Sequence, residues 1–291
     1  MALTEHAVES DRVPTPRSYR VLLPEGINPS DHGSLPLLLL LHGGGGSSEY
    51  LATVQPQIEA GWAAGTLPPL AVATPDAERS FYLDWADGSQ RWESFLMEEF
   101  LPHLCATLPV AGTPQTTMIS GVSMGGHGTC RIGLRYPQRF RAMAAMEPAV
   151  MPAMELGQVP AANIAFQSAQ VIAERYGSPP DAYWAENNAA RIATENVELI
   201  KASGIRIYLE VGDEDFLLLN EGTEYLHQVL LGIGVAHEYR LVLGANHVGR
   251  SLVPRFADCL GFLARALEDP LPDPALEAIL ELKAGSGLTP P

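Results

Sequence analysis

The chain is short of cysteine, of basic residues and of long apolar runs, and each shortage excludes something. It has three cysteines, Cys105, Cys130 and Cys259, in 291 residues. Their number is odd and their spacing wide, so they offer neither a disulfide framework nor metal-ligand spacing. The longest obvious apolar run is Leu37 to Leu41, far short of the roughly 20 residues of a membrane helix. Thr4, Glu5, His6 and Glu9 near the N-terminus show no basic-then-apolar pattern, so no signal peptide is expected. These shortages point to a reducing cytoplasm and to no membrane partner. Lysine and arginine number 18 against 34 acidic residues, a formal net charge of -16. That field repels nucleic acid and anionic membranes and mildly disfavours highly anionic substrates. Its main effect is solubility.

What is present suits one large α/β domain. Apolar residues make up 46% of the chain, enough for a substantial core. Residues 1–15 read as a polar arm. Tyr19, Val21 and Leu23 alternate, as in an early antiparallel strand. Apolar strands follow at residues 37–41, 70–74, 116–122, 141–146, 205–211 and 237–243. Helical patterns lie between them, at residues 50–64, 90–108, 124–136, 218–231 and 249–267. Pro102 is expected to kink the second of these. This alternation predicts a mostly parallel central sheet with helices on both faces. The main domain covers residues 16–268 and includes an excursion at 147–203, long enough for a partial lid. Residues 269–291 form a tail, with a short helix and then a disordered end from residue 285. There is no internal repeat.

Gly121-Val122-Ser123-Met124-Gly125 stands between an apolar strand and a helix and matches Gly-x-Ser-x-Gly, the nucleophile elbow of the α/β-hydrolases. A serine on so tight a turn sits in strained backbone. Side chains two residues to either side would collide, which accounts for the glycines. The hydroxyl needs a base, and the base an acid to fix its tautomer, in the chain order Ser, acid, His. Four of the eight histidines follow the elbow: His127, His227, His237 and His247. His127 lies one helical turn past the serine, His227 lies within a helix and His237 starts a strand. His247, in the loop after the last strand, is the candidate base. The acid should follow strand 205–211, where Asp213, Glu214 and Asp215 crowd one turn. Asp215 is preferred because it has room to reach back, while Asp213 and Glu147 remain alternatives. The oxyanion requires two donors. One is the N–H of Met124, and the other is expected from the run Gly43–Gly46, at Gly44 or else Gly43. This run has no Walker lysine and no dinucleotide spacing. No metal and no cofactor are expected.

Ser123-Met124-Gly125-Gly126-His127-Gly128 resembles the elbow of the esterase D and S-formylglutathione hydrolase group. So do residues 181–187 and the pattern Gly212, Asp215, Leu218. Residues 80–85 with Trp92 and Glu93 resemble the related mycolyltransferase branch. The resemblance, which runs from about Tyr19 to Phe262, implies an α/β-hydrolase fold and a cofactor-free serine hydrolase or acyltransferase. It also implies Ser123, Asp215 and His247 as its catalytic triad. The oxyanion loop departs from the group, reading His-Gly-Gly-Gly-Gly where esterase D proteins have Ser-Gly-Leu. This favours a broader carboxylesterase over S-formylglutathione hydrolysis. Met143, Met146, Met151 and Met154, with Phe81, Tyr82 and Trp85, are candidates for an acyl pocket, Trp85 and Met151 foremost. The expected partner is a neutral, short- to medium-chain carboxylic ester, with association between copies of the chain left open. An acyltransferase, a thioesterase or an inactive binding module of the same fold are the alternatives.

Overall fold

The sheet is built outward from a strand of five leucines. Leu37–Leu41 forms β3, and all of its side chains are buried. Leu37, Leu39 and Leu41 join one apolar cluster, Leu38 and Leu40 another. A strand covered by helices on both faces has no wet side, so it reads as a continuous apolar run. The computed structural model describes residues 2–27, 33, 35–269 and 273–285. Its other strands are β1 (Ala2–Val8), β2 (Arg17–Leu23), β4 (Ala71–Pro75), β5 (Thr117–Val122), β6 (Ala142–Met146), β7 (Arg206–Gly212) and β8 (Glu238–Val242). The eight lie in one sheet of order β1-β2-β4-β3-β5-β6-β7-β8. β2 is antiparallel to both its neighbours, and β4 to β8 run parallel. Helices Tyr50–Ala64 and Leu252–Leu267 pack on one face through Leu51, Ile58, Phe256 and Leu263. Helices Met124–Arg135, Ala189–Glu195 and Leu219–Gly232 pack on the other through Ile132, Ile192 and Leu226.

Two local expectations change. Residues 2–8, expected as part of a polar arm, instead form β1, paired with the whole of β2 from Ala2↔Leu23 to Val8↔Arg17. Its polarity fits an edge strand, because Thr4, Glu5 and His6 are exposed. The helix expected at 90–108 runs without a break from Trp92 to Thr107 but is not uniform, with an α turn (Trp92–Ser94), a π stretch (Phe95–Phe100) and an α segment (Leu101–Thr107). The widened stretch ends just before Pro102, and Leu101 N donates to Leu96 O across the junction. The i→i−4 ladder is thus already interrupted next to the residue that lacks an N–H.

The excursion after β6 folds as short helices, among them Ala169–Tyr176 and Asp181–Glu186, and makes a partial lid. It has a small core of its own around Leu83, Met151, Tyr176 and Trp184. Arg131, on the helix after the elbow, anchors it. The buried guanidinium donates to Asn187 O (3.0 Å) and Oδ1 (2.6 Å) and to Glu93 (2.5 Å). A tail helix spans Pro274–Gly285, and the disorder expected beyond it lies outside the described residues. Among those residues no helix is long and apolar enough to cross a membrane.

Candidate active site

The elbow is as tight as its glycines imply. Ser123 has φ 58° and ψ -115°, in the left-handed half of the map, where a non-glycine residue costs about 1–3 kcal/mol. A Cβ on Gly121 would stand 2.5 Å from the Gly125 carbonyl, and one on Gly125 would stand 2.2 Å from Leu41 O. Neither position has room for any side chain. Ser123 is pinned by its own N–H to Met146 O (2.9 Å), and its carbonyl accepts from His127 N and Ala149 N.

Ser123, His247 and Asp215 form one hydrogen-bonded chain. His247 Nε2 lies 3.1 Å from Ser123 Oγ, and Nδ1 lies 2.8 Å from Asp215 Oδ2. With Nδ1–H donating to the carboxylate, Nε2 is left as the acceptor that faces the hydroxyl. Asp215 is buried, and its Oδ1 accepts from Leu217 N (2.8 Å). Asp213 serves the backbone instead, accepting from Gly244 N at 2.7 Å. Asn246 joins the two loops, its Oδ1 accepting from Phe216 N (3.1 Å) and from His247 N (2.8 Å). His127 faces away and donates to Ala149 O (3.0 Å), and burial pushes its pKa down to about 3. His227 and His237 bond each other at 2.8 Å.

A second carboxylate reaches the same imidazole. Glu147, at the end of β6 with φ 44°, places Oε2 3.3 Å from His247 Nδ1. The contact has ion-pair distance without hydrogen-bond geometry, which distinguishes it from that of Asp215. Glu147 Oε1 lies 2.5 Å from Arg255, whose Nε in turn donates to Glu210 of β7 at 2.5 Å. All three of these side chains are buried. Burial drives the Glu147 carboxyl up to about 7; Arg255 and then His247 oppose the shift, and Asp215 adds to it. Burial also raises Glu210, against the pull of Arg255. Glu147, Asp215 and His247 could each offer one ligand atom to a metal, but Arg255 already supplies the compensating cation.

The glycine loop packs against the elbow. A Cβ on Gly43 would stand 3.6 Å from Ser123 Cβ, and one on Gly44 would stand 3.7 Å from Met124 Cβ. His42 holds the loop in place. Its Nδ1 donates to Gly43 O (2.7 Å), its Nε2 accepts from Ala77 N (2.9 Å), and its own carbonyl accepts from Tyr82 Oη (3.1 Å). Burial lowers its pKa, against the opposing pull of the Gly43 carbonyl and Asp76. Ser123 opens into a cleft of about 570 Å³ lined by Gly43–Gly46, Arg79, Phe81, Ala149, Phe166, Phe216, Leu217, Leu219 and Val248, among others. The two foremost of the expected pocket residues do not line it. Met151 is buried among Leu83, Tyr176 and Trp184, and the main chain before it, at Val150, lies hard against Gly222. Trp85 packs against the main core. Phe81, also among the expected pocket residues, does line the cleft, and with Phe166 and Phe216 it makes the aromatic wall.

An eight-stranded, mostly parallel sheet with a serine on its elbow, facing a histidine and an acid, defines the serine-hydrolase class of α/β-hydrolases. Residues 10–247 match the family model described as "Putative esterase", and the chain belongs to that family. An acetyl esterase of Caldicellulosiruptor saccharolyticus is 26% identical over 169 residues, 55% of this chain and 63% of that one. The match thus spans less than two thirds of that curated relative. Among solved structures, a ferulic acid esterase is 24% identical with TM-score 0.75, covering 92% of this chain and 98% of its own. The serine hydrolase FphF of Staphylococcus aureus is 18% identical with TM-score 0.71, covering 92% and 99%. Mycobacterium tuberculosis MPT51 is 17% identical with TM-score 0.69, covering 92% and 100%. These likenesses establish the fold.

Proposed function

We propose that the protein is a carboxylesterase that hydrolyses short- to medium-chain carboxylic esters through an acyl-enzyme on Ser123. The observation that carries this reading is the chain of hydrogen bonds from Ser123 Oγ to His247 to Asp215. His247 takes the proton as Oγ attacks the ester carbonyl, and Asp215 holds its tautomer and stabilises the imidazolium. The oxyanion is met by the N–H groups of Met124 and Gly44. His247 then protonates the leaving alkoxide, and water repeats the sequence to release the acid. The apolar wall of Phe81, Phe166 and Phe216 suits an acyl chain of modest length. The esterase names of the relatives point the same way.

The test is a series of 4-nitrophenyl esters from acetyl to octanoyl, with Ser123→Ala as the control. Hydrolysis by the wild type, its loss by several orders of magnitude in the variant, and labelling of Ser123 alone by a serine-directed phosphonate are expected. Full activity in Ser123→Ala would overturn the reading. Transfer to an added alcohol in preference to water would assign acyl transfer instead.

A further inference from the structure

The cleft is apolar except at one wall. Arg79 lines it beside the glycine loop, with Nε 3.9 Å from where a Cβ on Gly44 would stand. The residue is exposed. The nearest acid in sequence, Glu78, is taken by Arg17 at 2.6 Å. Among the described residues no carboxylate pairs with Arg79, although Arg20, Arg131, Arg135, Arg240 and Arg255 all hold one.

A second arginine stands behind it. Arg175 is only 5% exposed. It donates Nη2 to Arg79 O at 2.5 Å and lies over the Phe81 ring, Cζ 4.6 Å from the centroid. Its Nη1 is buried without a hydrogen-bond partner. The acid beside it, Glu174, is exposed and holds the Gln170 amide at 2.8 Å. Two arginines thus stand together without an ion-paired carboxylate, Arg79 on the wall of the cleft and Arg175 buried behind it.

The segment that carries Arg79 is firmly held. Glu78, Phe81 and Tyr82 all have positive φ, at 48°, 57° and 53°. His42 ties this segment to the glycine loop through Ala77 N and Tyr82 Oη. Arg131 holds Tyr82 O at 3.0 Å. Strained backbone held this firmly fixes where a side chain is presented. The Arg79 main chain is thereby held beside the oxyanion loop.

We propose that Arg79, backed by Arg175, selects esters that carry a carboxylate a few bonds from the scissile carbonyl. The inference rests on the esterase reading and replaces the neutral substrate expected from the sequence. A guanidinium meets a carboxylate with two parallel N–H···O bonds. The chain's overall negative field opposes an anion at long range, but it is screened beyond about 8 Å. Inside the cleft Arg79 is the one charged lining residue among those described.

The experiment uses two matched pairs of esters, followed by proton release or absorbance. Monomethyl glutarate against methyl valerate puts the charge on the acyl side. 4-Acetoxybenzoate against phenyl acetate puts it on the leaving group. In at least one pair the wild type should favour the charged ester, by about 10- to 100-fold in kcat/KM, as for one charge-assisted hydrogen bond. Arg79→Gln should abolish that preference, mainly through KM, while Arg79→Lys should keep part of it. Raising the salt from about 20 mM to about 500 mM should shrink it. A wild-type preference for the neutral member of both pairs overturns the inference and leaves the esterase reading standing. So does a preference that survives both Arg79→Gln and high salt. If none of the four esters, and no 4-nitrophenyl ester, is hydrolysed, the esterase reading fails and this inference falls with it.

Discussion

Replacing Asp215 with asparagine tests how the two carboxylates share His247. In a site with one acid, the corresponding change costs about 10⁴ in kcat, because the new amide donates to Nδ1 and fixes the wrong tautomer. Here Glu147 Oε2 remains 3.3 Å from Nδ1, against 2.8 Å for Asp215. At an effective dielectric of about 20, these distances correspond to attractions of about 5 and about 6 kcal/mol. The exchange therefore costs about 1 kcal/mol in charge interaction, plus about 1.5–3 for the lost charged hydrogen bond. The sum corresponds to roughly 100- to 1,000-fold. Asp215 also raises the Glu147 carboxyl, so its removal favours the ionised form that must take over. Asp215→Asn should thus lose roughly 100- to 1,000-fold, and Asp215→Asn with Glu147→Gln about 10⁴. The assay is kcat/KM on 4-nitrophenyl butyrate for the wild type, both single variants and the double, with thermal unfolding of each as the control. A loss of about 10⁴ in Asp215→Asn alone, unchanged by the second substitution, would refute a supporting role for Glu147. A larger loss in Glu147→Gln than in Asp215→Asn would move the acid itself to Glu147.

Gly44→Val should displace one oxyanion donor, since a Cβ there would already be in contact with Met124 at 3.7 Å and the two further methyl groups must crowd the elbow; the expected loss is roughly 100- to 1,000-fold in kcat, alike for acetyl, butyryl and octanoyl esters. A change confined to KM, or to one chain length, would make the loop a substrate wall. Gly125→Ala, with 2.2 Å between its Cβ and Leu41 O, should lower the melting temperature sharply, and an unchanged melt would show that the elbow can relax. The Glu147 carboxyl is raised from 4.5 to about 7 in the folded protein. Between those values the unfolded chain releases a proton that the folded one keeps, so this group's contribution to stability is lost as pH rises toward 7. Urea unfolding of the wild type and Glu147→Gln at about pH 5 and about pH 8 should therefore show the difference moving in the variant's favour at the higher pH. A difference that does not move would mean that Arg255 holds Glu147 ionised at both.

Much of the fold was legible because apolar period and punctuation agreed. Five buried leucines, the Gly-x-Ser-x-Gly turn and the alternation of strands with helices all demand a parallel sheet. The chain order around Ser123, Asp215 and His247 carried the site's outline in the same way. The remainder depended on direction, which spacing does not encode. Met151 belongs to a segment rich in methionine, but it lies in the small core rather than the cleft, and Val150 before it lies against Gly222. β1 escaped notice because an edge strand exposed on both faces has no apolar alternation to read. The buried Arg255 and Glu210 did leave a signal. Arg255 stands on the apolar side of helix Leu252–Leu267, next to Phe256, and Glu210 interrupts an otherwise apolar strand. A charge in such a place requires a partner, and each provides one for the other. Only the fold could show that Glu147 completes the set.

The position of β1 has a practical consequence. A chain trimmed to start at residue 16, as its polar N-terminus invites, would strip β2 of its partner along all seven paired positions from Arg17 to Leu23. The bared N–H and C=O groups would face solvent on a strand whose Tyr19, Val21 and Leu22 are buried beneath. An open edge of that kind recruits a strand from another molecule. Residues Ala2–Val8 therefore act as the selvedge of the sheet, a polar border that keeps the weave from being continued by a neighbour. Expression of the trimmed chain should yield soluble aggregates where the full chain does not.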